Sequence, residues 1–178
     1  MKKIIFFDVS TVNTGYSVLV DKRITNHGHI KVPGKLAEDR FPGMVKEILK
    51  FIISENNPDD PVLVYAEYPF EKMVGDQKNK FNWTGIYFPI CIHGSLLFEL
   101  GKIGIFYKND ISPRHWKKNV GLKVDPALKG YKRRKAEKEE SVRLANKCVE
   151  EAVTDDNEAD AILMAASYLM DGEHESKN

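Results

Sequence analysis

The chain has 178 residues, of which 42% are hydrophobic and 30% charged, so it is long enough for one domain with a substantial core. This size and composition exclude both a multidomain machine and a wholly disordered chain. The net charge is only +1, but the charges are unevenly distributed. Residues 114–138 contain ten Lys or Arg against two acids, and residues 139–178 contain eleven acids against three Lys or Arg. This distribution predicts one surface that binds a polyanion and another that gathers carboxylates.

In the first part of the chain, runs of apolar and β-branched residues predict four strands, at residues 3–7, 14–20, 26–32 and 62–66. The first two strands are close enough in sequence to form a hairpin, and the third is weaker. Between the third and fourth strands, Pro42 begins a helix whose apolar residues recur at helical spacing until Asn56 ends it. The fourth strand ends at Glu67.

The second part of the chain predicts one strand, at residues 103–107, and four helices, at residues 83–100, 113–118, 133–151 and 157–170. Ser112 and Pro113 are the N-cap and first residue of the short second helix. Strands come first and then alternate with helices, so the predicted fold class is α/β, with a mixed sheet flanked by helices. We expect one domain over residues 1–171 and a flexible tail over residues 172–178.

The cysteine content and the lengths of the apolar runs indicate the cellular compartment. The two cysteines, Cys91 and Cys148, are too few for a disulfide framework, and we interpret them as buried free thiols in a reducing cytosol. The first apolar run stops at Asp8, before a signal-peptide core would be complete, and the apolar run at residues 86–92 is far below the ~20 residues that cross a bilayer. These patterns predict a cytoplasmic protein without a membrane partner.

Two carboxylates stand at the ends of apolar strands. Asp8 ends the first strand and Glu67 the fourth, and a charge at such a place needs a partner, a metal or water, because burying it unpaired is costly. Strand ends in open α/β sheets are also where ligand sites collect. A third acidic group begins the last helix, where Asp156 and Asp160 are four residues apart and share a face.

Each of these acids taken alone is more often structural than functional, and Asp156 and Glu158 in particular are explained as acids of a first helical turn. Their combination favours a metal site. Carboxylate oxygens suit Mg²⁺ or Mn²⁺. Two such ions about 4 Å apart can activate an attacking water and stabilise the leaving oxygen in phosphodiester hydrolysis.

Four segments resemble the RuvC family of Holliday junction resolvases, in the same order along the chain: residues 7–16 (FDVSTVNTGY), 66–70 (AEYPF), 115–121 (HWKKNVG) and 158–161 (EADA). The resemblance implies a ribonuclease H-like fold and a homodimer that pairs through a helix near residues 83–100. It also implies two divalent ions per site and symmetric nicking of four-way DNA junctions. The style of the motifs is similar to phage and low-GC bacterial members, which implies the cytoplasm of a bacterial cell.

The same resemblance assigns catalytic and metal-binding roles to Asp8, Glu67 and Asp160. The family usually has a further acid or a His three residues before the last Asp, and this chain departs from that pattern with Asn157. We take Asp156 as the fourth ligand and Glu158 as its substitute.

Candidate DNA-binding residues come from the basic region and from the segment after Glu67. Lys and Arg side chains that neutralise phosphates supply most sequence-independent affinity for nucleic acids. The candidates in the basic region are Lys117, Lys118, Lys123, Lys132, Arg133, Arg134 and Lys138. Phe70, with Lys72 beside it, matches a junction-contacting aromatic of the family, and a stacked base contributes roughly 1 to 3 kcal/mol. The alternatives are a solvated helix face for the cations and a core anchor for Phe70.

Three other functions compete with a resolvase. The segment from Asp8 to Gly15 also resembles the first phosphate loop of sugar kinases and actin-like ATPases, but those proteins need a second domain and a second loop, so we expect no nucleotide cofactor. A non-catalytic DNA-binding module explains the basic region but not the acids. A ribonuclease H or a broader branched-DNA nuclease stays open. The basic region and Phe70 favour branched DNA as the substrate. Our hypothesis is that the protein cuts it with Mg²⁺ or Mn²⁺ and leaves 5′-phosphate and 3′-hydroxyl ends.

Overall fold

The computed structural model describes residues 2–68 and 83–175, apart from the side chains of residues 83–86 and 173–175. Its strands are β1 (Lys3–Asp8), β2 (Asn13–Val20), β3 (Arg23–Lys31), β4 (Leu63–Glu67) and β5 (Phe106–Ile111). Its helices are α1 (Ala37–Glu55), α2 (Trp83–Lys102), α3 (Pro113–Asn119), α4 (Gly130–Ala145) and α5 (Asp156–Glu175). No helix within the described ranges is both long and apolar enough to cross a membrane.

The strands form one mixed sheet in the order β3-β2-β1-β4-β5. β1, β2 and β3 are antiparallel neighbours, whereas β4 and β5 run parallel to β1. The predicted hairpin, the α/β class and the mixed sheet are therefore confirmed. The central strand β1 is paired on both sides, and its buried apolar residues are the centre of the core.

Alternate residues of β1 divide the core into two layers. Ile5 and Phe7 pack under α1 and α2, while Ile4 and Phe6 pack under α5 together with Trp116 of α3. Each large apolar side chain buried in this way contributes about 1.5 to 3 kcal/mol. Both faces of the sheet are thus covered by helices, and the face under α5 is the one that concerns function.

Helix α1 begins at Ala37, five residues before the predicted start at Pro42. Hydrogen bonds that hydropathy does not reveal hold its first turns: Asp39 Oδ2 accepts from the Leu36 N–H at 3.2 Å, and Arg40 Nε donates to the Thr11 carbonyl at 3.1 Å. Pro42 is therefore inside the helix, where it lacks only one N–H donor.

Strand β5 lies three to four residues later than the predicted 103–107. Residues 103–105 instead terminate α2: the Ile105 N–H donates to the Leu100 carbonyl at 3.0 Å, and Gly104 has a positive φ of 71°. The apolar pattern of this segment thus reflects a helix end that packs on the core.

Helix α4 ends at Ala145, six residues before the predicted end. The Asn146 side chain closes the following loop by donating to the Val153 carbonyl and accepting from the Val153 N–H, both at 2.9 Å. Cys148 lies in this loop and is exposed, so the prediction that it is buried was wrong; Cys91 on α2 is partly buried.

Helix α5 continues to Glu175, five residues past the predicted end at Met170. Residues 172–175 of the predicted tail are therefore helical, and residues 176–178 lie outside the described part of the chain.

A buried polar pair joins α2 to β5. His93 Nδ1 is hydrogen-bonded to the Tyr107 hydroxyl, and both side chains are almost completely buried. Burial lowers the pKa of His93 to about 4 and raises the pKa of Tyr107 well above its ordinary value. His93 is therefore neutral in the folded protein at pH 7.

We expect the folded state to lose stability as the pH falls from about 6.5 to about 4. The unfolded chain binds a proton at His93 near pH 6.5, while the folded chain does not until its lower pKa of about 4 is reached. This shift in the pKa of His93 lowers the free energy of unfolding by about 3 kcal/mol between pH 7 and pH 4. His93→Gln lacks this titrating group, so in urea titrations its loss of stability from pH 7 to pH 4 should be about 3 kcal/mol smaller than that of the wild type. Equal losses in the two proteins would contradict a neutral, buried His93.

Candidate active site at the carboxyl ends of β1 and β4

The two predicted strand-end acids lie side by side. In the parallel pairing of β1 with β4, Phe7 is opposite Ala66, so Asp8 and Glu67 follow at the same level. Phe7 and Ala66 belong to the layer under α1 and α2, and because side chains alternate along a strand, Asp8 and Glu67 project to the opposite face. That is the face covered by α5.

Glu67 is oriented by a buried donor. Its carboxylate is in a residue only 6% exposed, and its Oε2 accepts a hydrogen bond from Trp116 Nε1 at 3.1 Å. Helix α3 places this indole: Ser112 Oγ accepts from the His115 N–H at 3.2 Å, as the predicted N-cap requires, and Trp116 follows one residue later, fully buried. An indole N–H can only donate, so it fixes the direction of the carboxylate.

The start of α5 is fixed to β2 by a closed set of hydrogen bonds. Asp155 Oδ1 caps the helix by accepting from the backbone N–H groups of Asn157 at 3.0 Å and Glu158 at 3.3 Å, and its Oδ2 accepts from Asn13 Nδ2. In return, Asn157 Nδ2 donates to the Asn13 carbonyl at 2.6 Å. Asn157, at the position where the resemblance implies an acid or a His, therefore holds α5 to β2.

The backbone of α5 lies directly on Gly15. A Cβ atom at Gly15 would be 1.9 Å from the Asn157 carbonyl oxygen, closer than real atoms approach. Gly15 is also the residue of β2 that pairs with Asp8. Since neighbouring strands are about 4.8 Å apart, the first turn of α5 lies within one strand of Asp8.

The helical rotation of about 100° per residue decides which acids of α5 face Asp8. Asn157 faces β2, and Glu158 is turned towards β3, where its Oε1 is 2.6 Å from His27 Nδ1 and its Oε2 is 3.5 Å from His29 Nδ1. Asp156 and Asp160 are rotated to the side of the helix opposite Glu158. The fold therefore separates Glu158 from Asp156 and Asp160, and it places Asp8 and Glu67 at neighbouring strand ends under the same helix.

The predicted DNA-binding cations belong to two regions, each of which contacts one of these acids. In the first region, where Trp116 binds Glu67, Lys117 is partly buried, with its ammonium 5.4 Å from the Trp116 ring centroid, and Lys118 and Lys123 are exposed. In the second region, Lys138 of α4 forms an ion pair with Asp156. Three further cations are exposed on the first turns of α4: Lys132, Arg133 and Arg134. The candidates Phe70 and Lys72 lie outside the described residues.

The donor chemistry of this end of the sheet fits a hard divalent cation, since every acid gathered there offers carboxylate oxygens. The side chains are not assembled into a ready-made cage: within residues 2–68 and 83–175, no group of three His, Cys, Asp or Glu side chains is arranged to hold an ion. Asp156 is neutralised by Lys138, and Glu67 is held by Trp116.

Solved structures share this architecture over nearly the whole chain. The chain is 16% identical to T. thermophilus RuvC in complex with Holliday junction substrate, with a TM-score of 0.65 over 98% of this chain and 97% of that one. This chain has the RuvC fold. A second Thermus thermophilus RuvC structure is 15% identical, with a TM-score of 0.61 over 97% of this chain and 96% of that one. The predicted ribonuclease H-like fold is thereby confirmed, although the sequence itself matches no family model and no curated protein.

Some residues of the site carried no usable signal in the sequence. Trp116 lies within a segment that resembles RuvC, but nothing local shows that its indole binds Glu67, 49 residues away. His27 and His29 alternate along a strand and so share a face, yet their partner Glu158 is on a helix more than a hundred residues later. Such pairs follow from the RuvC fold and not from local pattern.

We expect Gly15→Ala to destabilise the protein by about 3 kcal/mol or more, because the new methyl group would meet the backbone of Asn157, which cannot yield as a flexible side chain does. Thermal and urea unfolding would measure the loss.

Gly172→Ala is the matched control. Its Cβ meets nothing within 4 Å, and Ala is favoured over Gly inside a helix, so α5 should be unchanged or stabilised by up to about 1 kcal/mol. Similar effects of the two substitutions would contradict the close contact between α5 and β2.

Proposed function

We propose that this protein is a Holliday junction resolvase, a Mg²⁺-dependent endodeoxyribonuclease that makes paired symmetric nicks in four-way DNA junctions. The observation that carries the proposal is that Asp8 and Glu67 stand at adjacent strand ends, and that the helix lying over Gly15 beside Asp8 begins with Asp156 and carries Asp160 one turn later. The RuvC fold over nearly the full chain supports it, and the similar T. thermophilus RuvC was solved in complex with a Holliday junction substrate.

The proposed site holds its ions with the carboxylates of Asp8, Glu67, Asp160 and Asp156. Bound Mg²⁺, or Mn²⁺ in its place, would supply the charge that neutralises the scissile phosphate and lowers the pKa of the attacking water, leaving 5′-phosphate and 3′-hydroxyl ends. These four carboxylates are enough for two ions per site, because each Mg²⁺ is held by one or two carboxylates and keeps water and substrate phosphate as its other ligands.

The protein's own groups set the geometry of this site. Trp116 keeps the Glu67 carboxylate in one orientation, so little side-chain freedom is lost when Glu67 binds a ligand. The hydrogen bonds among Asn13, Asp155 and Asn157 hold the first turn of α5 against β2, and in this proposal they set the position of Asp160 relative to Asp8.

The fourth ligand is Asp156 and not Glu158 in this proposal. Asp156 is on the same side of α5 as Asp160, whereas Glu158 is 8% exposed and engaged by His27 on the far side. Asp156 is paired with Lys138, and it becomes available when Lys138 moves to another anion. A DNA phosphate beside the site is such an anion, so DNA binding and ion binding would assist each other.

The proposed DNA path crosses the site between two groups of cations. In the first group Lys117 and Lys118 are on the same helix as Trp116 and Lys123 follows that helix, and the second group lies on α4: Lys132, Arg133, Arg134 and Lys138. Lys and Arg on both sides of a carboxylate cluster offset its repulsion of the phosphate backbone. Phe70 and Lys72 stay in the proposal as the junction-contacting pair of the segment after Glu67.

Paired nicks require two sites related by symmetry, so the protein would act as a homodimer. The outer face of α2 supports this, because it exposes apolar side chains at helical spacing: Tyr87 is 54% exposed, Leu97 58% and Phe98 65%. Gly94 lies among them with open space around it, which lets a second helix approach closely.

Removing any of three carboxylates should abolish cutting without loss of junction binding. We expect Asp8→Asn, Glu67→Gln and Asp160→Asn each to reduce the cleavage rate at least about 100-fold, because each removes a charge needed at the phosphate. Cleavage of a labelled four-way junction in Mg²⁺ measures the rate, and gel-shift titration without Mg²⁺ measures binding. Loss of binding in all three folded variants would contradict the assigned roles.

Asp156→Asn and Glu158→Gln form a matched pair on either side of α5. Asp156→Asn should reduce cutting by at least about tenfold. Glu158→Gln should retain cutting and reduce stability, because it weakens the contact with His27. Equal activity of both variants, or a folded but inactive Glu158→Gln, would show that Asp156 is not the fourth ligand.

A charge on the outer face of α2 should separate the proposed dimer. We expect Leu97→Glu and Phe98→Glu to be monomers in sedimentation equilibrium and to lose paired cutting, since a buried unpaired carboxylate is costly at an apolar interface. Met170→Glu, at an exposed apolar residue of α5, is the control and should behave as the wild type. A monomeric wild type, or dimers of both α2 variants, would contradict this interface.

A further inference from the structure

The amino-terminal turns of helix α4 are exposed to solvent. Every residue from 129 to 135 is exposed, although Ser141 and Ala145 of the same helix are buried against the core. At the tip is Tyr131, whose side chain is 80% exposed, the highest value among the large hydrophobic residues that the structure describes. A single exposed ring is ordinary on a protein surface, so its role is argued from the residues beside it.

The tyrosine is aligned with the proposed site. Tyr131, Arg134 and Lys138 recur at intervals of three and four residues, which places them on one face of α4. Lys138 is the residue that forms the ion pair with Asp156. The row therefore runs from the carboxylates outward along α4 and ends at the exposed ring.

The charged residues around Tyr131 indicate which class of molecule binds it. Arg133 and Lys135 pair within the helix, with Glu137 and Glu139, whereas Lys132 and Arg134 form no ion pair with any residue that the structure describes. An aromatic ring between unpaired cations suits a nucleic-acid strand, whose phosphates bind the cations and whose bases stack on the ring. An apolar protein surface would leave those cations without counter-charges.

The distance along α4 between Tyr131 and Lys138 indicates which base of the DNA strand the ring contacts. The seven residues from Tyr131 to Lys138 span about 10 Å of helix, which equals about three nucleotide steps at 3.4 Å per step. Near a branch point a base has lost part of its stacking, so it is more easily taken up by an aromatic side chain.

We infer that Tyr131 stacks on a base about three nucleotides from the phosphate held at the carboxylates, while Arg134 and Lys138 bind the phosphates between. The inference rests on the proposed function, and it makes Tyr131 a residue that positions the junction on the site.

The test is a binding titration of labelled four-way junction, without Mg²⁺, at several salt concentrations. We expect Tyr131→Ala to weaken binding about tenfold or more, with the slope of log K against log salt unchanged, because stacking releases no counterions. Tyr131→Phe should bind within about twofold of the wild type, since it keeps the ring. Arg134→Gln should lower the salt slope by about one. A 2-aminopurine base three nucleotides from the cut should be quenched by the wild type and not by Tyr131→Ala.

The outcomes separate this inference from the proposed function. Junction binding by Tyr131→Ala that equals the wild type at all salt concentrations would overturn the role of Tyr131 and leave the resolvase proposal intact. Full rescue by Tyr131→Leu would overturn stacking in favour of simple apolar contact. A wild type that binds no junction would overturn both proposals. Because Tyr131 is exposed and Ala has a high helix propensity, the Tyr131→Ala variant should fold as the wild type does, which its circular dichroism spectrum would check.

Discussion

The contact between α5 and β2 at Gly15 is the constraint on which the proposed site depends. The carbonyl oxygen of Asn157 occupies the space that any side chain at this position would fill. Because Gly15 pairs with Asp8, this contact brings the acidic start of α5 next to the end of β1. The cap at Asp155 and its bond to Asn13 then fix the rotation of the helix, and that rotation turns Glu158 to β3 and Asp156 and Asp160 to the opposite side.

A cluster of like charges has to be stabilised by its surroundings, and the fold supplies three different means. Trp116 donates a hydrogen bond to Glu67, the amino-terminal end of α5 offers its helix dipole to Asp156, and Lys138 provides a full positive charge. These interactions are compatible with the binding of a metal ion. The indole of Trp116 can keep its hydrogen bond, and the ammonium of Lys138 can leave Asp156 for a phosphate. The same helix α4 that supplies Lys138 carries the cations that lead away from the site. The acids and the basic region, which nearly cancel in the net charge, are thus parts of one arrangement.

The parts of the fold that follow local rules could be predicted from the sequence. Apolar runs located β1, β2 and β4, so the amino-acid pattern alone was enough to put Asp8 and Glu67 at strand ends, and the pairing of β1 with β4 then brings them side by side. Two of the misplaced boundaries depend on hydrogen bonds that an apolar pattern does not reveal: the Ile105 N–H binds the Leu100 carbonyl and delays β5, and Asn146 binds Val153 and ends α4 early. The contact of Glu158 with His27 could not be predicted from the sequence, because the two residues are 131 residues apart.

The most direct test of the central claim is to incubate the wild-type protein with a labelled four-way DNA junction, a matched duplex and an RNA/DNA hybrid, with Mg²⁺ or with EDTA, and to map every cut. Our account predicts paired nicks at symmetric positions in two opposing strands of the junction, only in Mg²⁺, with the duplex and the hybrid left intact. Cutting of the hybrid instead of the junction would assign the same carboxylates to a ribonuclease H activity, and junction binding without any cutting would contradict a catalytic site at the ends of β1 and β4.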